Sequence, residues 1–293
     1  MKINVFNTFV GLTLILGLFA SCKDKPKNGR TDTYSSGTIK FVSDESFSPI
    51  IDEQREIFEF VYPKAKLVPI YTNELDGVNM LMKEQVYLAI TSRNFTDKEV
   101  ANLEARRFQP IAIPLAFDGL ALIVNNSNPD TIISVNDIKQ ILSGKVAKWK
   151  ALYPNSKLDS IEVAFDNKQS STVHYCVDSL LGGKPINSPN IYAVDKSAEV
   201  IDFVEKHPNA IGIIGSNWLN DKRDTTNVTF KRNIRVMGVS RIHPATVESS
   251  WKPYQYYLWN GNYPLVRTIY ALLNDPRHGL PWGFANFMSA DSR

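Results

Sequence analysis

The sequence predicts an α/β protein of two lobes, joined by hinge strands and separated by a central ligand cleft. From Thr38 onward, short apolar runs alternate with amphipathic segments, which is typical of βαβ units and a mostly parallel sheet. About 270 residues follow the N-terminal leader, more than one small domain requires. A central pair of strands divides two βα series, and a late strand is able to return to the first series. These observations favour two lobes over one.

The first βα series has clear helix and strand patterns. An apolar face recurs from Ile50 to Val61 and stops before Pro63, which predicts a helix after the first strand. Thr96 and Glu99 have the spacing of a capping box and predict another helix start. The elements expected in this series are strands at 39–42, 67–71 and 86–90 and helices at 50–61, 75–82 and from 97 onward.

The second series begins after two apolar runs that flank Phe117-Asp118-Gly119, which we interpret as two central strands at 111–115 and 120–124. Ser134 and Asp137 predict a capped helix that ends at Gly144. The further elements expected are strands at 161–165, 210–214 and 234–239 and helices at 172–181, 198–205 and 263–273.

These elements predict the lobe boundaries. We expect lobe one to comprise residues 36–115 and 235–293, and lobe two to comprise residues 116–234. Ligands of open α/β sheets bind beyond the carboxyl ends of the strands, so two facing lobes create a cleft there that is able to close.

The N-terminus predicts export and lipid anchoring. A basic start is followed by about a dozen apolar residues ending at Ala20, fewer than the roughly 20 that cross a membrane, which indicates a signal peptide at 1–21. The small residues before Cys22 resemble a bacterial lipoprotein cleavage box, so we expect a lipid on Cys22 and a polar tether over 22–35. The alternative is an ordinary signal peptide with an incidental cysteine.

Composition narrows the function classes. Thirty-three basic and thirty acidic residues give a net charge of +3, which does not indicate a nucleic-acid partner. If Cys22 carries lipid, Cys176 is the single remaining thiol and no internal disulfide forms. The four histidines have neither metal-site nor catalytic spacing, so we expect no enzymatic activity, no metal and no cofactor.

The turn from Asp166 to Val173 is the sharpest chemical signal. Ser170, Ser171 and Thr172 stand at a predicted helix start, where hydroxyls, free backbone N–H groups and the positive end of the helix dipole favour a bound anion. The alternative is that one of these hydroxyls only caps its own helix.

Two further turns follow strands of the first series. Ser46 and Phe47 precede a helix that has Pro49 in its first turn, but Asp44 and Glu45 would repel an anion unless protonated, or else lie outside the cleft. Thr91, Ser92 and Arg93 follow the third strand, and a guanidinium matches oxyanion geometry with two parallel hydrogen bonds. A surface role for this arginine is the alternative.

An ordered series of segments resembles the PstS-like phosphate-binding receptors of ABC importers, which have the type 2 periplasmic-binding fold. The segments that carry this resemblance are Ser46-Phe47, Val86–Arg93, Asp118–Asn125, Ile138–Lys145 with Trp149, Ser170–Thr172, Ala210–Gly215 and Leu280–Phe284. The resemblance implies a monomeric, non-enzymatic lipoprotein of the cell envelope. Such a protein captures phosphate or a related oxyanion and delivers it to an ABC permease.

The resemblance also implies ligand residues, with departures. Ser46-Phe47 match a Thr-Phe pair, and Ser170–Thr172 match a Ser-Gly-Thr motif. Arg93 stands where many members have an aspartate, and Asp166 stands where they have an arginine. We therefore hypothesise a swapped pair, in which Arg93 holds the anion and Asp166 orients it or accepts its proton. Of the turn Asn73–Gly77, only Gly77 fits the family pattern.

These departures keep a second function open. The alternative is a lipoprotein that retains the receptor fold but acts as an anion sensor or a surface interaction protein without a transport role.

Overall fold

In the computed structural model, the described residues form one nine-stranded sheet and one three-stranded sheet. The structure describes residues 29–220 and 233–290. The predicted signal peptide and the lipidated Cys22 lie outside the described residues. All elements below belong to the unit Thr33–Arg293. Within the described ranges, each helix is too short or too polar to span a bilayer.

The strands are β1 (Gly37–Asp44), β2 (Ala65–Thr72), β3 (Leu88–Thr91), β4 (Ile111–Asn125), β5 (Ile132–Ser134), β6 (Glu162–Phe165), β7 (Ile191–Ala193), β8 (Ala210–Gly215), β9 (Ile234–Val236), β10 (Gly238–Ser240), β11 (Ser250–Trp251) and β12 (Val266–Leu273). The helices are α1 (Ser48–Val61), α2 (Glu74–Met82), α3 (Asp97–Ala105), α4 (Val135–Leu142), α5 (Trp149–Leu152), α6 (Ser171–Tyr175), α7 (Ser197–Lys206), α8 (Gln255–Trp259) and α9 (Leu280–Ala290). A 3-10 turn, Glu45–Phe47, connects β1 to α1, and a π-helical turn, Cys176–Leu180, extends α6.

The large sheet has the strand order β2-β1-β3-β12-β4-β8-β6-β7, and β9 also pairs with β4. The pairs β1–β2, β1–β3, β6–β7 and β6–β8 are parallel. In contrast, β12 runs antiparallel to both β3 and β4. In both halves of the large sheet, parallel strands are joined through helices, which confirms the predicted α/β class.

Strand β4 connects the two halves of the sheet. Its first part, up to Gly119, pairs with β12, and its second part, from Leu120, pairs with β8. We call the half containing β1, β2, β3 and β12 lobe one. The half containing β6 to β9, together with the three-stranded sheet of β5, β10 and β11, is lobe two. The prediction of two separate strands was wrong because residues 116–119, the expected gap between them, also pair with β12.

Each lobe has its own hydrophobic core. In lobe one, Phe41, Phe58 and Phe284 are buried together between the sheet and helices α1 and α9. In lobe two, Trp149 and Phe165 belong to a separate buried cluster. Separate cores are the property that defines independently packed lobes.

Two predictions about the last third of the chain are corrected. Residues 266–273 form strand β12 and not a helix, because alternate residues from Val266 to Ala271 are buried with a period of two. Strand β9 pairs with β4, and Met237, Val239 and Tyr263 lie in the lobe-two core. The chain therefore returns to lobe one at β12, some thirty residues after the predicted boundary at residue 235.

The tether prediction over 22–35 includes three residues, 33–35, that belong to the folded unit. The backbone of Tyr34 packs so closely on α9 that a side-chain carbon at Gly283 would overlap it. Thr33 also donates its N–H to the carbonyl of Ser36 at 2.9 Å. Residues 33–35 therefore belong to the folded unit.

Helix starts are formed as the sequence indicates. The capping boxes of Thr96 with Glu99 and of Ser134 with Asp137 both form. Helix α1 has proline in its first turn, and Ser170 caps α6 by accepting the N–H of Val173. These short-range patterns need only local sequence, so they are predictable.

Candidate functional site

Two helix starts from opposite lobes meet at the centre of the molecule. In lobe one, β1 ends at Asp44 and the 3-10 turn places Ser46 before α1. In lobe two, β6 leads to Ser171 at the first position of α6. The hydroxyl oxygens of Ser46 and Ser171 lie 3.0 Å apart, and both residues are fully buried. The structure thus brings together two of the hydroxyls that the sequence placed at helix starts.

Arg267 is the cation of this centre. It is 4% exposed in β12, and its guanidinium donates to Ser171 Oγ at 2.7 Å and to Ser46 Oγ at 3.1 Å. Its Nε donates to Asp118 at 2.9 Å, and its carbon Cζ lies 4.4 Å from the centre of the Phe47 ring. The ion pair and the cation–π contact hold the guanidinium in one orientation.

Asp44 accepts hydrogen bonds from both lobes. One carboxylate oxygen accepts the N–H of Ser46 at 2.9 Å and its hydroxyl at 2.5 Å, and the other accepts the N–H of Ser171 at 3.0 Å. Burial raises the pKa of this carboxyl, which is 1% exposed, while the Ser46 hydrogen bond opposes that shift. Asp44 therefore lies inside the cleft and not outside it.

Asp166 lies beside the same helix start. Its carboxylate oxygens accept hydrogen bonds from the hydroxyl oxygens of Ser170 at 2.6 Å and Thr172 at 3.3 Å. Burial, reinforced by the negative charge of Asp44, raises the pKa of Asp166 to about 7. Ser170 and Thr172 thus face Asp166, and Ser170 also serves as the cap that the alternative interpretation of this turn expected.

Two further carboxylates of lobe one reach lobe two. Glu45 accepts the N–H of Ser197 at 3.1 Å and its hydroxyl at 2.8 Å, at the start of α7. Glu74 contacts His174 of α6 at 2.8 Å. Burial opposes ionisation of Glu74, but its hydrogen bonds to His174 and Ser92 lower its pKa, and the bond to Glu74 raises the pKa of His174. Asp44, Glu45 and Glu74 thus each link lobe one to lobe two.

The carbonyl of Ser46 completes the contact between lobes. It accepts Nδ2 of Asn217 at 2.9 Å and the indole N–H of Trp218 at 3.1 Å. A side-chain carbon at Gly215 would lie 3.1 Å from that carbonyl and 3.1 Å from a nitrogen of Arg267. Only glycine leaves room for this close approach.

The hydrogen bonds of Arg93 within the described residues join it to Asn94 and Glu99 and not to Ser46 or Ser171, so the swapped Arg93/Asp166 pair stays a prediction. Both terminal nitrogens of Arg93 donate to the carboxylate of Glu99 at 2.8 Å. This capping-box glutamate engages the guanidinium locally, as the alternative of a surface role expects. Thr91 donates to the carbonyl of Arg93, and Ser92 donates to Glu74, so neither hydroxyl points to Arg267.

A cavity of about 200 Å³ adjoins the two helix starts. Its lining includes four acidic residues and one lysine, and consists of Asp44, Glu45, Tyr71, Thr72, Asn73, Asp166, Asn167, Ser170, Asp195 and Lys196. Solutes that approach the helix starts through this cavity meet Asp44 and Asp166.

Two α/β lobes whose helix starts face each other across a cleft define the type 2 periplasmic-binding architecture. Residues 28–292 match the model described as the PBP superfamily domain, and the chain belongs to this superfamily.

The chain is similar in sequence or in fold to proteins whose names refer to phosphate binding or phosphate transport. The phosphate-binding protein PstS of Pseudomonas aeruginosa is 23% identical over 250 residues, which covers 82% of this chain and 73% of that protein. A putative phosphate ABC transporter substrate-binding protein with bound phosphate, from Clostridium perfringens, has a TM-score of 0.69 at 18% identity, with 86% of this chain and 93% of that chain covered. An ABC-type phosphate transport receptor from Vibrio cholerae has a TM-score of 0.62 at 21% identity, covering 86% and 93%. These structures share the fold.

Sequence reasoning missed three residues of the centre. Arg267 and Asp118 were not assigned to the site, and Glu74 was not considered as a partner of His174. The available signal was the alternation Val266-Arg267-Thr268-Ile269, in which a charged residue occupies a period-two position of an apolar run. In a strand at the cleft, such a residue faces inward.

Proposed function

We propose that this protein is an extracytoplasmic solute-binding lipoprotein that captures inorganic phosphate, or a related oxyanion, for an ABC permease and catalyses no reaction. The names of its relatives support this assignment. The observation that carries it is the meeting of Ser46, Ser171 and the buried guanidinium of Arg267.

These groups are the donors that a tetrahedral oxyanion needs. Two hydroxyls and the N–H groups of two helix starts come from opposite lobes, and Arg267 supplies a buried positive charge. An anion bound to all of them has higher affinity for the closed state than for the open state. Binding would therefore drive closure of the cleft.

The neighbouring carboxyl of Asp166 favours a protonated ligand. Asp166 is 1% exposed and lies at the start of helix α6. A hydrogen phosphate ion can donate its proton to a carboxylate, whereas sulfate at neutral pH has no proton to donate. We therefore infer selection of phosphate over sulfate.

The remaining parts of the proposal concern location. A lipid on Cys22 would hold a monomeric receptor at the membrane surface of the cell envelope, close to its permease. Radioactive palmitate labelling of the expressed protein tests this point, and Cys22→Ser is the matched control, which loses both label and membrane retention. Labelling of the Cys22→Ser protein would contradict it.

Binding is tested by calorimetry and thermal shift with phosphate, sulfate, molybdate and methylphosphonate in buffers free of phosphate. We expect phosphate to bind with micromolar affinity, about −8 kcal/mol, and Arg267→Lys to weaken binding about tenfold or more because a lysine cannot reproduce the fork. Arg241→Lys, at a guanidinium that contacts the carbonyls of Gly261 and Tyr263, is the control and retains binding. Equal affinity of the Arg267→Lys and unmodified proteins would contradict the assignment.

One observation favours a second function, a sensor or interaction lipoprotein that binds no free oxyanion. The carboxylate of Asp44 already accepts N–H groups from both helix starts. A complete absence of thermal shift with all four oxyanions would favour this second function.

A further inference from the structure

We propose that Asp44 is a built-in substitute for the anion, which holds the cleft closed in the absence of ligand and must be displaced when the anion binds. This inference deepens the proposed function and rests on it for the displacement step. The holding role stands on the geometry of the described residues alone.

The hydrogen bonds of Asp44 are those expected of a bound anion. Its two oxygens accept one backbone N–H from each lobe, Ser46 in lobe one and Ser171 in lobe two. Backbone N–H groups at helix starts are the donors that helix termini offer to phosphate, sulfate or carboxylate. The carboxylate of Asp44 therefore takes the place of two ligand oxygens.

The link made by Asp44 is shielded from water. The carboxylate is 1% exposed, and its partners Ser46 and Ser171 are fully buried. Charge-assisted hydrogen bonds in such surroundings are stronger than those at a surface, so this link contributes substantially to closure. The neighbouring Glu45 makes a comparable link to Ser197 at a different helix start, so bridging by carboxylates is a repeated feature of this face of lobe one.

Asp44 also has space to leave. It borders the cavity of about 200 Å³ that extends past Tyr71 and Asn73. Arg267 is held by Asp118 and by the two serine hydroxyls. The guanidinium of Arg267 is therefore already in position when an anion reaches it. The Asp44 side chain rotates toward the cavity, and the N–H groups of Ser46 and Ser171 then bind the anion instead.

The holding role is tested without any anion. Small-angle scattering in buffer free of phosphate should show a larger radius of gyration for Asp44→Ala than for the unmodified protein, and addition of phosphate should return it to the closed value. Asp44→Asn is the second variant. Its amide oxygen still accepts the N–H of Ser46, but its NH₂ group cannot accept the N–H of Ser171. Asp137→Asn is the control, because Asp137 also accepts a serine N–H and hydroxyl but within lobe two.

The displacement role is tested by calorimetry with inorganic phosphate. Removal of the competing carboxylate should raise phosphate affinity by roughly tenfold in Asp44→Ala, with Asp137→Asn unchanged. A fall in affinity would show that Asp44 contacts the anion and would overturn the inference. Identical scattering of the variants and the unmodified protein would overturn it as well. If the variants open but no protein binds phosphate, the holding role stands and the proposed function fails.

Discussion

The pKa of Asp166 predicts a pH dependence of stability that is open to measurement. This carboxyl is 1% exposed and its pKa is raised from 3.8 to about 7, first by burial and then by the charge of Asp44. The folded protein therefore binds one more proton than the unfolded chain between these two values. Raising the pH through this interval favours unfolding, and the loss of stability is complete above the pKa that Asp166 has in the folded protein.

The size of this effect follows from the difference between the two pKa values of Asp166. A difference of about three, at about 1.36 kcal/mol for each, lowers the free energy of unfolding by about 4 kcal/mol between roughly pH 4 and pH 7. Asp166→Asn has no proton to lose, so this loss should be absent in the variant. Two hydrogen bonds, from Ser170 and Thr172, are weakened in exchange, at about 1 kcal/mol each at all pH values.

Urea denaturation at four pH values from 4.5 to 8.5, in buffers without phosphate, measures the difference between the two proteins. We expect Asp166→Asn to be less stable than the unmodified protein at pH 4.5 and more stable at pH 8.5. Titrating groups that do not interact with Asp166 cancel in the difference. Asp159→Asn, at a side chain that is 75% exposed, is the control for replacing a carboxyl by an amide. A difference that is constant across the pH range would refute the reasoning.

Three further perturbations follow from the contacts of the centre. Arg267→Ala leaves Asp118 as a buried, unpaired carboxylate, and we expect a loss of about 3 to 5 kcal/mol in urea denaturation. Gly215→Ala places a carbon 3.1 Å from the Arg267 guanidinium, and we expect it to weaken phosphate binding by about tenfold, measured by calorimetry. His174→Gln removes the charged partner of Glu74. Because the pKa of His174 is raised in the folded protein, the stability that this ion pair contributes is present at low pH and is lost as the pH rises through that pKa. The stability of the variant should therefore differ more from that of the unmodified protein at pH 5.5 than at pH 9.

Each of these perturbations has a control and a contradicting result. Arg106→Ala removes an exposed ion pair with Glu84 and should cost less than 1 kcal/mol, so equal losses for it and for Arg267→Ala would contradict the buried ion pair. Gly182→Ala, at a position with open space, is the control for Gly215, although its positive φ adds local strain. A pH-independent effect of His174→Gln would exclude an ion pair with Glu74.

Much of the fold was predictable because its signals are local. Alternation of strand and helix patterns, two capping boxes and the helix starts at Ser46 and Ser170 need only a few adjacent residues. Their convergence at one cleft was also predictable, since the carboxyl ends of parallel strands lie at one edge.

The remaining features depend on distant partners. The run Val266–Leu273 is apolar enough for either a helix or a strand, and only its pairing with β3 and β4 decides between them. Because that segment was assigned to a helix, Arg267 was missed. Arg93 was chosen instead as the ligand arginine, although Glu99, six residues later, engages it locally. A lone arginine at a strand end is ambiguous until its nearest carboxylate is known.

The continuity of strand β4 restricts how the protein moves. One uninterrupted backbone carries hydrogen bonds of both halves of the large sheet, and its partner changes between Gly119 and Leu120. Sliding of one half past the other would break whole ladders of these bonds, whereas a twist of a few backbone torsions near Gly119 would preserve them. Under the proposed function, uptake and release would therefore follow a rotation near Gly119, along which the hydroxyls of Ser46 and Ser171 separate and rejoin.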